Sequence, residues 1–208
     1  MIGGPASLPR WNEVALSARE VCRCPGRGDA ALRSISLDVL NGQLTALMGP
    51  VGAGKSELLR ILAGAEQADR GAIESRVRGE LALVQPPHGG RLAGTLRSLL
   101  RSERGGAAAP ATRSRRFATL DEALAAGPAL VLADESWPER PADELEGVTR
   151  LREWMADGRR SALIVSADPV AAARADRVLF MLEGSVVGDL ERPDVAEVLT
   201  TISSLSRA

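Results

Sequence analysis

Residues 49–56, Gly-Pro-Val-Gly-Ala-Gly-Lys-Ser, match the pattern G-x-x-x-x-G-K-[ST] in full. Each conserved type in that pattern has a role in holding phosphate. Gly49, Gly52 and Gly54 let the backbone curl until successive N–H groups point inward, and a helix that starts there adds partial positive charge. Lys55 is the sole lysine in a chain that otherwise takes its positive charge from arginine. Its ammonium reaches β- and γ-phosphates as a compact point charge, where an arginine fork would be bulkier and differently aimed. Ser56 offers a hydroxyl to Mg2+. The candidate nucleotide-binding segment is Gly49, Pro50, Val51, Gly52, Ala53, Gly54, Lys55, Ser56 and Glu57. A second group of the right chemistry lies downstream. Ala129–Ala133 is an apolar run that ends in Asp134 and Glu135. Asp134 would hold Mg2+ through water and Glu135 would polarise an attacking water. Acids after a strand are usually a solvated strand end, and the upstream loop is what gives this pair its functional reading.

These residues need a strand before the loop, a helix after it and a second strand beside it. Ile35, Leu37 and Val39 alternate with Ser34, Ser36 and Asp38, which predicts a half-buried strand over 32–40. Asn41-Gly42 then reads as a hairpin turn, with 43–48 as the returning strand. Together with a strand near 14–21 this predicts an antiparallel β layer ahead of the loop. Leu58, Leu59, Ile61 and Leu62 at helical spacing predict a helix that stops near Gly64. Short strands are expected at 72–77 and 80–84, a helix at 120–126, and buried strands at 129–133 and 162–165. Leu145, Val148, Leu151 and Met155 mark another helix. The end reads as a helix at 169–174, strands at 177–182 and 185–189, and a helix with Pro193 near its first turn. Strands alternating with helices imply a parallel sheet with both faces covered. Residues 101–117 are poor in large apolar side chains and read as a loop.

Composition narrows the class. The chain has 208 residues and a formal net charge of −1, which fits one α/β domain and argues against a dedicated nucleic-acid or membrane-surface binder. No apolar run reaches the ~18–20 residues of a spanning helix, and the first residues lack a basic stretch followed by an apolar one. The expectation is a cytoplasmic chain, with Cys22 and Cys24 as reduced structural thiols.

Over nearly all of its length the sequence resembles the nucleotide-binding domain of ATP-binding cassette (ABC) proteins. The segment LRSISLDVLNGQLTALMGPVGAGKSELLRILAG is similar to the family's Walker A region and first helix. LALVQPP is similar to its Q-loop, AAGPALVLADE to the approach to Walker B, and SALIVSADPVAAARADRVLFMLEGSVV to the switch strand and following hairpin. The resemblance implies a P-loop NTPase of ABC type, α/β, with a parallel core covered by helices, an N-terminal antiparallel layer and a truncated helical subdomain. It implies one domain over 1–208, with 87–118 as an eroded subdomain or loop. It makes Gln85 a catalytic and Mg2+-contacting residue beside Ser56 and Asp134, and Glu135 the catalytic base. The implied ligands are ATP and Mg2+. The implied partners are a membrane-spanning transporter subunit and a second, complete cassette, which would hold the chain at the inner face of the membrane.

Departures from the family pattern bear on turnover. The signature motif would fall near Pro110–Ser114, which reads PATRS; the switch histidine falls at Ala167; the adenine-stacking aromatic falls near Cys24; and the D-loop aspartate falls around Pro141. Losing one preorganised donor lowers a rate by about 10²–10³, and a lost base stack is worth ~1–3 kcal/mol. His88 reads as a loop residue. Three functions follow: an ATP-binding transporter subunit with weak or partner-dependent hydrolysis, a non-catalytic regulatory nucleotide-binding module, or a small phosphotransferase with Arg113, Arg115 and Arg116 as lid arginines. The isolated chain is expected to be monomeric.

Overall fold

The computed structural model describes residues 14–24, 31–85, 113–134 and 141–206. Two sheets share the chain. β1 (Val14–Arg23), β2 (Leu32–Leu40) and β4 (Arg70–Ser75) form a three-stranded antiparallel sheet in the order β2-β1-β4. The second sheet has seven strands in the order β10-β9-β3-β8-β7-β5-β6. Its members are β3 (Leu44–Met48), β5 (Leu81–Val84), β6 (Ser114–Phe117), β7 (Leu130–Ala133), β8 (Ser161–Val165), β9 (Arg177–Leu182) and β10 (Ser185–Glu191). Every pairing in it is parallel except the β9–β10 hairpin.

The strands β3, β5, β7 and β8 are buried at every position. Such runs carry apolar side chains on both faces and belong in the centre of a sheet covered on both sides. Alternate residues of each strand divide between two cores. Leu47, Leu83, Leu132 and Leu163 pack with the antiparallel sheet and α1 (Lys55–Leu62). Ala46, Val84, Val131 and Ile164 pack on the opposite face. That face is covered by α2 (Leu120–Ala125), α3 (Pro141–Trp154), α4 (Pro169–Ala172) and α5 (Val195–Leu205).

The fold differs from the sequence reading in two places. Asn41-Gly42 does turn the chain, with Gly42 at φ 72°, but the strands it joins do not pair with each other. β2 pairs with β1, while β3 enters the large sheet between β8 and β9. The reason lies in the two patterns. β2 alternates and suits a layer open on one side, whereas β3 must be covered on both. The Gly42 N–H donates to Ser161 Oγ at 3.1 Å, which fixes the turn at the head of β8 instead of closing a hairpin.

The second difference is β6. Residues 114–117 fall in the stretch read as a loop, yet they add a parallel strand beside β5 at the sheet edge. The side chains of this strand are largely exposed, so no apolar alternation announces it; the backbone ladder on β5 holds it. Arg115 pairs with Glu80 at 3.3 Å and lies 5.2 Å over the Phe117 ring, which makes it an edge-strand residue and not a lid arginine. The remainder of the stretch read as an eroded subdomain, 87–112, lies outside the described residues, as does most of the PATRS segment.

Candidate nucleotide-binding site

The glycine-rich loop joins the C-terminal end of β3 to the start of α1. Gly49, Gly52 and Gly54 take φ values of 149°, 85° and 96°, a region closed to most side chains. Space forbids a side chain as well as conformation does. A Cβ on Gly49 would meet the Met181 carbonyl oxygen at 2.2 Å, and one on Gly54 would meet that of Ala31 at 2.4 Å. The loop is thus pressed between the β9–β10 hairpin and the start of β2. Pro50, Val51 and Gly52 are exposed on its outer side, while Ala53 is buried beneath it.

Lys55 is the first residue of α1 and is only 7% exposed. Its ammonium donates to the carbonyls of Gly49 at 2.8 Å and Pro50 at 2.9 Å, so it lies folded against its own loop. Ser56 follows, and its hydroxyl donates to Asp134 Oδ1 at 2.8 Å. The other oxygen of Asp134 accepts from Gln85 Nε2 at 2.9 Å. Asp134 is 1% exposed, and its N–H donates to the Val84 carbonyl at the end of β5. Three candidate Mg2+ contacts, from three parts of the sequence, therefore meet at one edge of the sheet. Glu135 lies outside the described residues.

The donor set suits Mg2+: a hydroxyl, a carboxylate and an amide are hard oxygen ligands. Among the described residues no group of three acidic, histidine or cysteine side chains could cage a metal. A Mg2+ held largely by phosphates and water needs no such cage.

Glu57 is placed differently from the loop residues before it. Its carboxylate takes Arg23 Nε at 3.1 Å and an Arg60 nitrogen at 2.6 Å. Arg23 also pairs with Asp69 at 3.1 Å, and Arg60 with Glu66 at 2.7 Å. This network ties β1 and the 63–69 connection to α1, and it leaves the Glu57 backbone, not its side chain, for the phosphate site. Burial and the Glu57 charge push the Glu66 carboxyl above its ordinary range, against the pull of Arg60. Nothing in the sequence signalled Arg23, because it lies 34 residues from its partner Glu57.

The positions where the family pattern fails can also be located. Cys24 is exposed, and its N–H donates to Asp69 Oδ2 at 2.7 Å. It borders a cavity of about 440 Å³ with Cys22, Leu32, Arg33, Asp69 and Arg70. Leu32 also abuts Gly54, so this cavity adjoins the loop, and among the described residues no aromatic ring lines it. Ala167 lies exposed in the turn after β8. Beside it, the Ser166 N–H donates to the Leu47 carbonyl at 3.1 Å, and Asp168 caps α4 through the Val170 N–H at 3.0 Å. Glu144, on the first turn of α3, is raised by burial above the usual carboxylate range. The Ser166 hydroxyl acts against that rise and the Asp168 charge adds to it. The periodicity of α3 gave no sign of this residue.

Comparisons with known proteins agree with the geometry. The family model for the ABC transporter matches residues 32–89. The aliphatic sulfonates import ATP-binding protein SsuB 1 of Pseudomonas syringae pv. syringae (strain B728a) is 47% identical over 57 residues. That stretch is 27% of this chain and 24% of the relative, so the chain spans about a quarter of its length. The aliphatic sulfonates import ATP-binding protein SsuB 2 of Nocardia farcinica (strain IFM 10152) is 32% identical over 203 residues, covering 79% of this chain and 80% of that protein. Among solved structures, a dimeric post-hydrolysis state of an ATP-binding cassette bound to ADP and Pi superposes with a TM-score of 0.63 at 18% identity. The match covers 86% of this chain and 99% of that one. With identity and coverage of that order to the Nocardia protein, and with the same two-sheet architecture, the chain belongs to the ABC transporter family as an ATP-binding cassette.

Proposed function

We propose that this chain is the ATP-binding subunit of a transporter. It binds Mg-ATP at Gly49–Ser56 and passes the binding to a membrane-spanning partner, with hydrolysis that is weak or depends on that partner. The observation that carries this reading is the convergence of Ser56, Gln85 and Asp134 at the mouth of an intact phosphate loop. In the nucleotide-bound protein the Lys55 ammonium leaves the Gly49 and Pro50 carbonyls for the β- and γ-phosphates. The α1 terminus and the loop N–H groups carry the remaining negative charge. Mg2+ would be held by Ser56, through water by Asp134, and beside Gln85; bound there, it neutralises charge on the phosphate oxygens. Glu135, the next residue in the chain, would orient water for attack.

The relatives named as import ATP-binding proteins support a transport role. Among the described residues no helix is long and apolar enough to cross a membrane; the proposed membrane-spanning partner would place this chain at the inner face. Weak turnover follows from Ala167 and Cys24, which supply neither an imidazole nor a stacking ring. Those same two residues favour a second reading, a non-catalytic module that regulates a partner through bound nucleotide. Calorimetry with Mg-ATP, followed by turnover with and without a co-expressed membrane subunit, tests the two. Binding with partner-stimulated hydrolysis supports the first. Binding with no hydrolysis under either condition supports the second.

A further inference from the structure

The edge strand β6 adds little to either core, since Ser114, Arg115 and Arg116 are exposed and Phe117 is half-buried. That last residue is nevertheless held firmly. Its ring packs against the apolar cluster that contains Val84, Leu120 and Ala123, and the Arg115 guanidinium lies 5.2 Å over it. The backbone that follows is fixed as well. Thr119 accepts from the Glu122 N–H at 3.3 Å to cap α2, and the Glu122 carboxylate accepts from the Ala118 N–H at 3.3 Å.

This pinned end lies in one row with the nucleotide site. Phe117 pairs with Val84, and Val84 pairs with Ala133. One residue further along the two inner strands stand Gln85 and Asp134, whose side chains meet at 2.9 Å. The Gln85 N–H donates to the Phe117 carbonyl at 3.1 Å. Hydrogen bonds therefore run from the sheet edge to the phosphate loop. The Phe117 carbonyl holds the Gln85 backbone, the Gln85 amide holds Asp134, and Asp134 accepts from Ser56 at 2.8 Å. Gln85 stands one residue past the end of β5. Without the Phe117 carbonyl its N–H would turn to water, and its side chain would swing away from Asp134.

We propose that Phe117 is a positioning residue for the Mg2+ site: its ring anchors the end of β6, and its carbonyl holds Gln85 within reach of Asp134. It acts through Gln85 and touches no ligand. The inference rests on the proposed Mg-ATP binding, and its test separates the two. Phe117→Ala, Phe117→Leu, Gln85→Ala and the double variant Phe117→Ala/Gln85→Ala are made in the full chain. Amide exchange at Gln85 is read without nucleotide, and ATP affinity is read by calorimetry with and without Mg2+. Phe117→Ala should exchange faster at Gln85. Its gain in affinity from Mg2+ should shrink about tenfold, the low end for loss of an outer partner at a metal site. Phe117→Leu, which refills the cluster, should restore both. In the double variant the Mg2+ gain should equal that of Gln85→Ala, although the melting temperature falls further. A ring with a merely structural role would lower the melting temperature and leave the Mg2+ gain alone. Phe117→Val, a smaller truncation, carries the same comparison if the alanine variant does not fold. Unchanged exchange at Gln85, an undiminished Mg2+ gain or an additive loss in the double variant would overturn the positioning role. A wild type that binds no Mg-ATP would instead overturn the proposed function, and the link to Mg2+ with it.

Discussion

Ser56 and Asp134 are 78 residues apart in sequence, and the hydroxyl of one donates to the carboxylate of the other at 2.8 Å. The bond joins the start of α1 to the end of β7 and leaves the carboxylate, 1% exposed, with its charge directed at the loop. Asp134→Asn keeps an oxygen to accept from Ser56 and removes the charge. The variant should fold, and nucleotide affinity should lose its dependence on Mg2+. Calorimetry with ATP, with and without Mg2+, decides it; an Asn variant that still gains affinity from Mg2+ would remove Asp134 from the metal site.

Lys55→Ala should abolish Mg-ATP binding while leaving the fold intact. The ammonium donates to the Gly49 and Pro50 carbonyls of its own loop, and those carbonyls can turn to water. Affinity should fall at least a hundredfold, about 2.7 kcal/mol, with an unchanged circular dichroism spectrum. Equal ATP affinity in the variant would refute the assigned phosphate contact.

Gly54→Ala tests the loop's shape. The new Cβ would approach the Ala31 oxygen to 2.4 Å at a φ of 96°, so conformation and contact both oppose it. Destabilisation of about 1–3 kcal/mol is expected, together with loss of nucleotide binding as the loop moves off Ala31. A variant with wild-type melting temperature and affinity would show that the loop has room that the structure does not give it.

Glu66 and Glu144 share a sign. Burial raises both carboxyls in the folded chain. Folding therefore binds protons, and the stability each contributes is complete below its unfolded pKa and lost as pH rises through the folded one. Replacing both with glutamine removes that loss. The melting temperature of the double variant, relative to wild type, should climb as pH is raised from about 4 to 8. A difference that falls over that range would reverse the assigned sign.

Assembly gives the last test. With PATRS where a signature motif would clamp the partner's phosphate, two copies would face each other with incomplete sites, and ATP should not join them. Light scattering after size exclusion of Glu135→Gln, with and without Mg-ATP, should give a monomer both times. An ATP-induced homodimer would mean that another segment supplies the clamp.

The phosphate loop was legible in the sequence because its chemistry is local. Gly49, Gly52, Gly54, Lys55 and Ser56 are neighbours, and each is there for its own geometry or charge. The buried strands LVLA and SALIV were legible for a similar reason, since they carry their burial in their own side chains. Pairing was not local. Asn41-Gly42 names a turn, but whether β2 and β3 then pair depends on β1, β8 and β9 competing for their edges, and those lie far along the chain. The strand β6 was hidden because its exposed side chains carry no pattern; its place comes from hydrogen bonds offered by β5. The same holds at the site. The sequence offered Asp134 and Gln85 by type and resemblance, and packing alone brought both to Ser56. Arg23 against Glu57, and the burial of Glu144, had no sequence signal at all. An ion pair or a buried carboxyl exists only once distant elements have met, and that meeting is decided by the two cores on either side of the sheet.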